Sequence, residues 1–289
     1  MDDVNRPSPT SLAVVMLLSS CISLQLGAAV AVPLMGELGS WLTTAARLLF
    51  AAAILTVLTR PDVRSWSGAD WRRVVLYGVS LGGMNGTFYA AISRIPLGVA
   101  VTIEFLGPLV LAAILSRRLR DLGWVLLAGA AVAVLGLAGH GSDGKPLDPV
   151  GMAWALASAF FWAIYILAGK QVAAHVKGQG PLAMGTLVGG LLMLPFAVTT
   201  THLIVERPSF LLPLIAVALL SSAIPYSLEL RALGSLNART FGILLALEPV
   251  VAALWGWLLL SQHLTAIQLA AMAAVLAASV ATTMSERTG

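Results

Sequence analysis

Long apolar stretches alternate with short polar ones along the whole chain of 289 residues. Ten of them approach the roughly 20 residues that an α-helix needs to cross the hydrocarbon core of a bilayer. Within the stretches apolar and polar residues do not alternate, so the pattern predicts membrane helices and not the strands of a transmembrane barrel. The predicted helices are 11–32, 41–59, 72–93, 96–116, 122–139, 150–170, 181–199, 210–231, 238–260 and 264–284.

The composition is typical of a protein embedded in lipid. Hydrophobic residues make up 58% of the chain and charged residues 10%, whereas about a quarter of the residues in ordinary soluble domains are charged. The mean hydropathy is +0.91. So few charges cannot keep this much apolar surface in water, which excludes a soluble enzyme and a disordered chain. The single cysteine, Cys21, also excludes a disulfide scaffold.

The basic residues are distributed unevenly over the connections between the predicted helices. When alternate connections are assigned to alternate sides, thirteen of the 17 lysines and arginines fall on one side, three on the other, and Arg47 inside a helix. Basic residues are enriched on the cytoplasmic side of membrane proteins, so both termini are predicted to be cytoplasmic. The net charge of +4 is then a topology signal and does not predict nucleic-acid binding.

The two halves of the chain are predicted to be repeats of each other. A shift of 141 residues superimposes the helix positions of the two halves and aligns Pro108 with Pro249. Five helices are an odd number, so the second half enters the membrane from the opposite side. We therefore expect an all-α integral membrane protein of ten transmembrane helices, in two inverted-topology five-helix repeats at 1–143 and 144–289. Secondary transporters often have this architecture and hold substrate between the halves.

Four ionisable residues stand inside predicted membrane helices, namely Arg47, Glu104, Glu229 and Glu248. Each costs about 2.5–3.5 kcal/mol at a helix centre and therefore needs a reason. Glu104 and Glu248 are interpreted as proton or ammonium acceptors or, alternatively, as structural partners, with Arg47 as the ion-pair partner of Glu104. Arg47 itself could bind a carboxylate through its planar fork. Glu229 lies near a helix end and is assigned a gating or structural role.

Two prolines follow the glutamates closely. Pro108 lies one turn after Glu104, and Pro249 directly follows Glu248. A proline has no N–H and frees a carbonyl one turn earlier, so each is expected to kink its helix and to serve a gating or structural role. The prolines match under the repeat shift and the glutamates do not, as expected for a directional binding site.

The third predicted helix carries a polar face. Tyr77, Asn85 and Tyr89 follow each other at steps of eight and four residues, which places them on one side of a helix. Asn85 and Tyr89 are candidates for binding a substrate, with helix packing as the alternative. Tyr165 in the sixth helix is a further substrate-binding candidate, although such tyrosines often pack or anchor helices. Gln25 in the first helix is interpreted as a packing residue.

Motifs for other chemistry are missing from the sequence. It contains no nucleophile elbow, no phosphate-binding loop and no HExxH motif. The four histidines fall at helix ends or in loops without ligand-like spacing. The chain is therefore not predicted to be an enzyme, and neither a cofactor nor a metal is expected. No nucleotide-binding domain fits in the short connections, so a gradient must drive any transport.

Several stretches resemble a known family: YGVSLGGMN at 77–85, EFLGP at 104–108, WAIYIL at 162–167, IPYSLEL at 224–230, RTFG at 239–242 and Glu248-Pro249. In this order, along nearly the whole chain, they are similar to the bacterial threonine/homoserine exporters of the drug/metabolite transporter superfamily. The resemblance implies ten spans, two EamA-type repeats, a multi-pass location in the bacterial inner membrane and export of small amino acids. It also implies proton coupling, though less directly.

The expected function is secondary export of threonine-like or homoserine-like metabolites from the cytoplasm, by alternating access and in exchange for protons. A zwitterionic substrate needs an anion for its ammonium and donors for its carboxylate, which Glu104 and Arg47 supply. Asn85 and Tyr89 are expected to bond a side-chain hydroxyl. The alternative is efflux of drugs or cationic compounds, which membrane glutamates and aromatic rings attract. The protein is expected to be a monomer or a weak dimer in the bilayer.

Overall fold

A computed structural model describes residues 9–116, 119–139, 145–233, 236 and 238–285. Most of these residues are helical, and none of them forms a β-strand. Four arginines used in the orientation count, Arg6, Arg117, Arg118 and Arg287, lie outside the described residues, as does the predicted boundary between residues 143 and 144.

Fourteen α-helices follow one another in the described ranges. In chain order, α1 to α14, their bounds are Pro9–Leu38, Ser40–Thr59, Gly68–Ile92, Leu97–Glu104, Leu106–Ser116, Leu119–Ala138, Pro149–His175, Gly180–Ala197, His202–Glu206, Leu211–Ala218, Ile224–Leu233, Ala238–Leu245, Glu248–Leu260 and Ala266–Ser285. Short 3₁₀ turns at Val63–Ser65 and Pro208–Phe210 precede α3 and α10. A π-helical turn, Leu219–Ala223, joins α10 to α11.

Eight segments of the described chain are long and apolar enough to cross a membrane. They are Leu12–Leu38, Ser40–Thr59, Leu97–Leu115, Pro149–His175, Gly180–Ala197, Pro208–Glu229, Thr240–Leu260 and Ala266–Met284. Each coincides with one of the predicted stretches. The other two predicted stretches are also helical: α3 occupies one, and a shorter apolar helix, Asp121–Leu137 within α6, occupies the other. The protein is therefore an all-helical, multi-pass membrane protein.

Polar caps explain why some helices begin outside the apolar pattern. At the start of α3, Ser67 Oγ accepts a hydrogen bond from the Asp70 backbone N–H at 3.2 Å. The Asp70 carboxylate accepts one from the Ser67 N–H at 3.1 Å. This reciprocal capping box starts α3 four residues before the predicted stretch at 72. Asp148 caps α7 in a similar way, accepting a hydrogen bond from the N–H of Val150 at 2.9 Å.

Two of the membrane segments are interrupted near their middle. One break, at Phe105, separates α4 from α5, and the other, at residues 246–247, separates α12 from α13. Each lies shortly before a proline. Pro108 cannot donate to the Glu104 carbonyl, and Pro249 cannot donate to that of Leu245, so both helices lose a backbone hydrogen bond at the break.

The helices of the first half pack mainly against those of the second. α3 packs against α7 and α8, α2 against α8, α1 against α11 and α13, α4 against α7 and α13, and α6 against α14. Glycines allow the closest of these approaches. A Cβ placed on Gly82 of α3 would lie only 2.7 Å from the Cα of Gly189 in α8, so side-chain-free positions bring the two backbones together.

Candidate functional site

A cavity of about 610 Å³ lies between the helices of the two halves. Its wall includes residues from eleven helices, among them α1, α2, α3, α5 and α7. All four tyrosines of the chain line it, namely Tyr77, Tyr89, Tyr165 and Tyr226. The lining extends to Lys170 and Gly178, which are exposed, and to Thr283 near the end of α14. The cavity thus runs from the middle of the bundle toward the end of the molecule where α7 and α14 terminate.

Eight of the nine predicted site residues line this one cavity. They are Arg47, Asn85, Tyr89, Glu104, Pro108, Tyr165, Glu229 and Glu248. The ninth, Pro249, is buried beside Glu248 in the first turn of α13 and does not contribute to the lining. The structure therefore brings together residues from six predicted membrane stretches.

Arg47 of α2 is the largest fully buried side chain of the described chain, with 1% of its surface exposed. Its Nη2 donates to the Asn85 side-chain oxygen, and its Nη1 donates to the Ser221 carbonyl at 3.2 Å. The guanidinium carbon lies 4.5 Å from the centroid of the Tyr89 ring, a cation–π contact. Nε has no hydrogen-bond partner among the described residues. A buried cation is thus held in place while one donor stays unused.

The carbonyl that Arg47 binds is made available by the local sequence. Pro225 lacks an N–H and cannot donate the α-helical hydrogen bond to Ser221. The π-helical turn Leu219–Ala223 widens the helix at the same place, and such turns occur frequently at functional sites. The neighbouring Leu220 carbonyl accepts a hydrogen bond from Ser23 of α1 at 2.8 Å. Side chains from the first half therefore bind carbonyls of a distorted helix in the second.

Glu104 ends α4 at the first helix break and is 8% exposed. Its carboxylate accepts a hydrogen bond from the hydroxyl of Ser158 in α7. The Ser158 oxygen also lies 2.9 Å from the Met84 carbonyl oxygen. Neither Arg47 nor Glu104 forms a direct ion pair with a described residue, yet the Arg47 charge acts on Glu104. The interpretation of Arg47 as the fixed ion-pair partner of Glu104 is therefore not the arrangement found.

The other two carboxylates face α1. Glu248, the first residue of α13, is 5% exposed, and its Oε1 lies 4.0 Å from the sulfur of Cys21. Gln25, one turn further along α1, lies close to the same carboxylate. Glu229 of α11 accepts a hydrogen bond from Ser20 Oγ at 2.6 Å. One face of α1 thus holds two of the three acidic side chains of the cavity.

The tyrosine pair Tyr77 and Tyr165 connects the two halves across the cavity wall. Their rings stack with centroids 4.9 Å apart, and their hydroxyl oxygens are 3.1 Å apart. Tyr77 belongs to α3 and Tyr165 to α7, so this contact joins a helix of the first half to a helix of the second.

Two lining residues were missed in the sequence. Gln25 was interpreted as packing, but it lines the cavity with 3% of its surface exposed, and its Oε1 has no partner among the described residues. Tyr226 was not singled out. It lies three residues before Glu229, a helical spacing that places both on one face, and this could have identified it.

Ion pairs lie at the opposite end of the bundle. Arg94 contacts Asp148 at 3.0 Å, and Arg207 contacts Glu37 at 3.0 Å. Each pair joins a residue of the first half to one of the second, at helix ends away from Lys170 and Thr283. The hydrogen bond from Arg94 holds the pKa of Asp148 below its usual value. Trp41 and Trp154 also meet here across the halves, with ring centroids 5.7 Å apart.

Comparison with known proteins defines the class of this membrane protein. Residues 149–284 match the EamA-like transporter family. A solved structure described only as "Crystal structure of protein" shares the fold, with a TM-score of 0.62 and 20% identity over 98% of this chain and 99% of that chain.

Full-length relatives are more specific. The chain is 40% identical to the threonine/homoserine exporter RhtA of Escherichia coli K12, over 98% of this chain and 95% of the relative. It is 38% identical to the protein of the same name in Salmonella typhimurium, over 99% and 96%. The uncharacterized inner membrane transporter YicL of Salmonella typhimurium is 27% identical over 62% and 61%.

The chain therefore belongs to the EamA-like transporter family, and the resemblance to threonine/homoserine exporters is confirmed. The relatives are named as transporters and not as enzymes, in agreement with the absence of catalytic motifs from the sequence.

Proposed function

We propose that this protein exports threonine, homoserine and similar small amino acids from the cytoplasm across the bacterial inner membrane. One observation carries the proposal: a chain related along its whole length to threonine/homoserine exporters encloses a cavity that unites a guanidinium with buried carboxylates. Such groups are costly in a membrane and mark substrate or ion pathways.

The cavity offers complementary groups to both ends of an amino acid. Arg47 provides donors for the substrate carboxylate, including the unused Nε. Asn85 and Tyr89 fix the orientation of the guanidinium and complete this end of the site. Glu104 accepts the ammonium, and Tyr165 lies on the same wall toward the cavity mouth. A volume of about 610 Å³ accommodates such a substrate together with water.

The ten-helix, two-repeat architecture is part of the proposal, with repeats at 1–143 and 144–289. Its support comes from helix ends that recur 141 residues apart. α4 begins at Leu97 and ends at Glu104, and α12 begins at Ala238 and ends at Leu245. The end of α3 at Ile92 likewise corresponds to the end of α11 at Leu233. The family match over 149–284 covers nearly the whole second repeat.

Helix packing supports a two-fold relation between the repeats. The contact of α3 with α7 corresponds to that of α11 with α1. In the same way α5 with α7 corresponds to α13 with α1, and α3 with α8 corresponds to α10 with α2. The pairs α2–α8 and α6–α14 are each their own counterpart. If the two repeats exchange conformations, an inward-facing transporter becomes an outward-facing one.

The proposed cycle starts from an inward-facing state. With both termini in the cytoplasm, the mouth at Lys170 and Thr283 faces the cytoplasm, and the ion pairs Arg94–Asp148 and Glu37–Arg207 close the outer side. The prolines of the broken helices, Pro108 and Pro249, and the buried Glu229 act in gating or support. A single chain encloses the whole cavity, which favours a monomer, or at most a weak dimer.

Proton exchange is the proposed energy source. Glu104 or Glu248 takes up a proton from outside as the substrate leaves and loses it to the cytoplasm as the next substrate binds. Support comes from their burial in a cavity that water can enter, without an ion-pair partner among the described residues.

Counterflow of labelled threonine in proteoliposomes at controlled pH tests the proposal. The wild type is expected to exchange threonine and homoserine, whereas Glu104→Gln and Arg47→Ala lose exchange. Glu206→Gln is the matched control, because Glu206 is exposed and far along the chain from the cavity lining. Wild-type exchange by an inserted Glu104→Gln or Arg47→Ala protein would disprove the assigned binding roles. A rate that stays constant between pH 6 and 8, without acidification on substrate addition, would disprove proton coupling.

A second candidate function is efflux of cationic compounds. It is favoured by the composition of the wall, where three carboxylates and four tyrosines line the cavity against one buried arginine that already has several partners. Resistance of a deletion strain complemented with this gene separates the two functions. Protection against toxic homoserine analogues supports amino-acid export, and protection against dye cations alone supports the alternative.

A further inference from the structure

Gln25 carries an acceptor that the protein itself does not use. The side chain is 3% exposed and lines the cavity from α1. Its Oε1 is buried and has no hydrogen-bond partner among the described residues. Buried polar atoms are paired in the great majority of cases, because leaving one unpaired costs its desolvation. An unpaired oxygen on a cavity wall therefore indicates a ligand that donates a hydrogen bond to it.

The orientation of this amide follows from its neighbour. The Gln25 side chain lies close to the Glu248 carboxylate, and an ionised carboxylate can only accept a hydrogen bond. With its amide nitrogen directed at Glu248, Gln25 keeps Oε1 for another donor. Gly27 of α1 packs directly against Ser221 in the neighbouring π-helical turn. This contact fixes the backbone of α1 next to Gln25 and leaves no room for a bulky side chain between α1 and the turn.

Other polar groups on the wall are already engaged. The Asn85 oxygen accepts from Arg47, and its nitrogen donates to the Leu81 carbonyl at 2.8 Å. The Tyr89 hydroxyl lies 3.5 Å from Ser221 Oγ. The hydroxyls of Tyr77 and Tyr165 bond to each other. Unlike these groups, Gln25 Oε1 is an acceptor without a partner among the described residues, beside the carboxylates proposed to bind the ammonium.

We infer that Gln25 is the specificity-determining residue that accepts a hydrogen bond from the side-chain hydroxyl of the substrate. This rests on the proposed function, and it assigns the preference for hydroxylated over apolar amino acids to one atom. Threonine and valine have nearly the same shape, so packing alone cannot separate them. A site built to pair with a hydroxyl discriminates strongly against the analogue that lacks it, because its own polar group then stays unpaired.

The test measures competition against labelled threonine in proteoliposomes that contain the full chain. Unlabelled threonine, valine and O-methylthreonine are the competitors. O-methylthreonine keeps the ether oxygen but cannot donate. In the wild type, threonine is expected to compete about tenfold or more better than either analogue. If O-methylthreonine competes as well as threonine, the hydroxyl does not donate to an acceptor and the inference is overturned, without the need for any variant.

The variant Gln25→Met then tests whether the preference for the hydroxyl group comes from Gln25. The preference for threonine over valine is expected to fall by about tenfold, while valine competes as before. Ile166→Met is the matched control, because Ile166 lines the cavity and occupies the position equivalent to Gln25 under the 141-residue shift; its threonine preference should stay. Equal losses for threonine and valine in Gln25→Met would reveal a structural role and overturn the inference. Absence of wild-type threonine exchange would instead refute the proposed function.

Discussion

The two broken helices have the same backbone design and different surroundings. In both, a proline lies shortly after the break, at Pro108 and Pro249. Gly107 precedes the first proline, and a Cβ there would collide with the backbone of Ala159 in α7. Glu248 precedes the second, and its side chain points to α1, near Cys21 and Gln25.

This difference explains how one architecture holds two unlike carboxylates. The glycine lets α5 pack directly on α7, which places Ser158, the neighbour of Ala159, against Glu104. At the second break Glu248 takes the place of the glycine, and its carboxylate lines the cavity beside α1. The prolines repeat the geometry, and the residue before each proline decides how closely the next helix packs.

The largest effect on folding stability is expected for Gly107→Ala. The new methyl group meets the Ala159 carbonyl and must push α5 from α7, at a cost of about 1–3 kcal/mol in unfolding free energy. Thermal unfolding in detergent measures it. Gly129→Ala in α6, where a Cβ meets nothing within 4 Å, is the control. An unchanged melting temperature in Gly107→Ala would contradict the close approach that distinguishes the two breaks.

The next effect is expected when the carboxylates of Glu104 and Glu248 are each replaced by the amide of glutamine. Glu104→Gln removes the charge proposed to bind the ammonium, and the loss of such a buried partner costs about 2–5 kcal/mol, or roughly thirtyfold or more in affinity. Glu248→Gln is expected to reduce proton-coupled exchange more than threonine binding. Substrate-induced thermal shifts and pH-dependent counterflow measure the two effects separately. Identical profiles for both variants would show that the breaks are functionally alike.

A smaller effect is expected from the hydrogen-bond partners. Ser158→Ala removes the hydroxyl that donates to Glu104, worth about 0.5–1.5 kcal/mol, or about three- to tenfold in exchange. Cys21→Ala removes only a thiol that lies 4.0 Å from Glu248 and should change exchange less. Initial rates of threonine counterflow at fixed pH compare them, and a larger effect of the cysteine variant would reverse the assigned order.

The smallest effect belongs to the ion pair Arg94–Asp148, which lies outside both breaks. Because Arg94 lowers the pKa of Asp148 below its ordinary value of 3.8, the pair stabilises the fold above that value and loses this contribution as the pH falls below it. The stability difference between the wild type and Asp148→Asn is therefore expected to stay constant from pH 8 to 5 and to shrink toward pH 3, as followed by thermal unfolding. A stability difference that already changes between pH 8 and 5 would contradict this prediction. If the difference is constant in that range, any pH dependence of transport there must come from groups in the cavity.

The sequence alone was sufficient for the all-helical, multi-pass class and for the family. Apolar length determines which segments enter lipid, and these segments need only local hydrogen bonds. It also identified eight residues of the cavity wall, four of them because an ionisable group in a membrane helix is rare and expensive. The apolar pattern did not predict that α3 starts at Gly68, because the helix is started by a polar capping box and not by apolar residues.

Only the tertiary structure decided which partner each polar group has. Arg47 was weighed as a partner of Glu104, yet it binds Asn85 and the Ser221 carbonyl, a group that becomes available only where Pro225 and a π-turn meet α2. Gln25 looked like packing until the fold left its oxygen unpaired on the cavity wall. Hydropathy is a sum over one segment and can be read from the chain. A hydrogen bond depends on the distance between atoms far apart in sequence, which only packing sets.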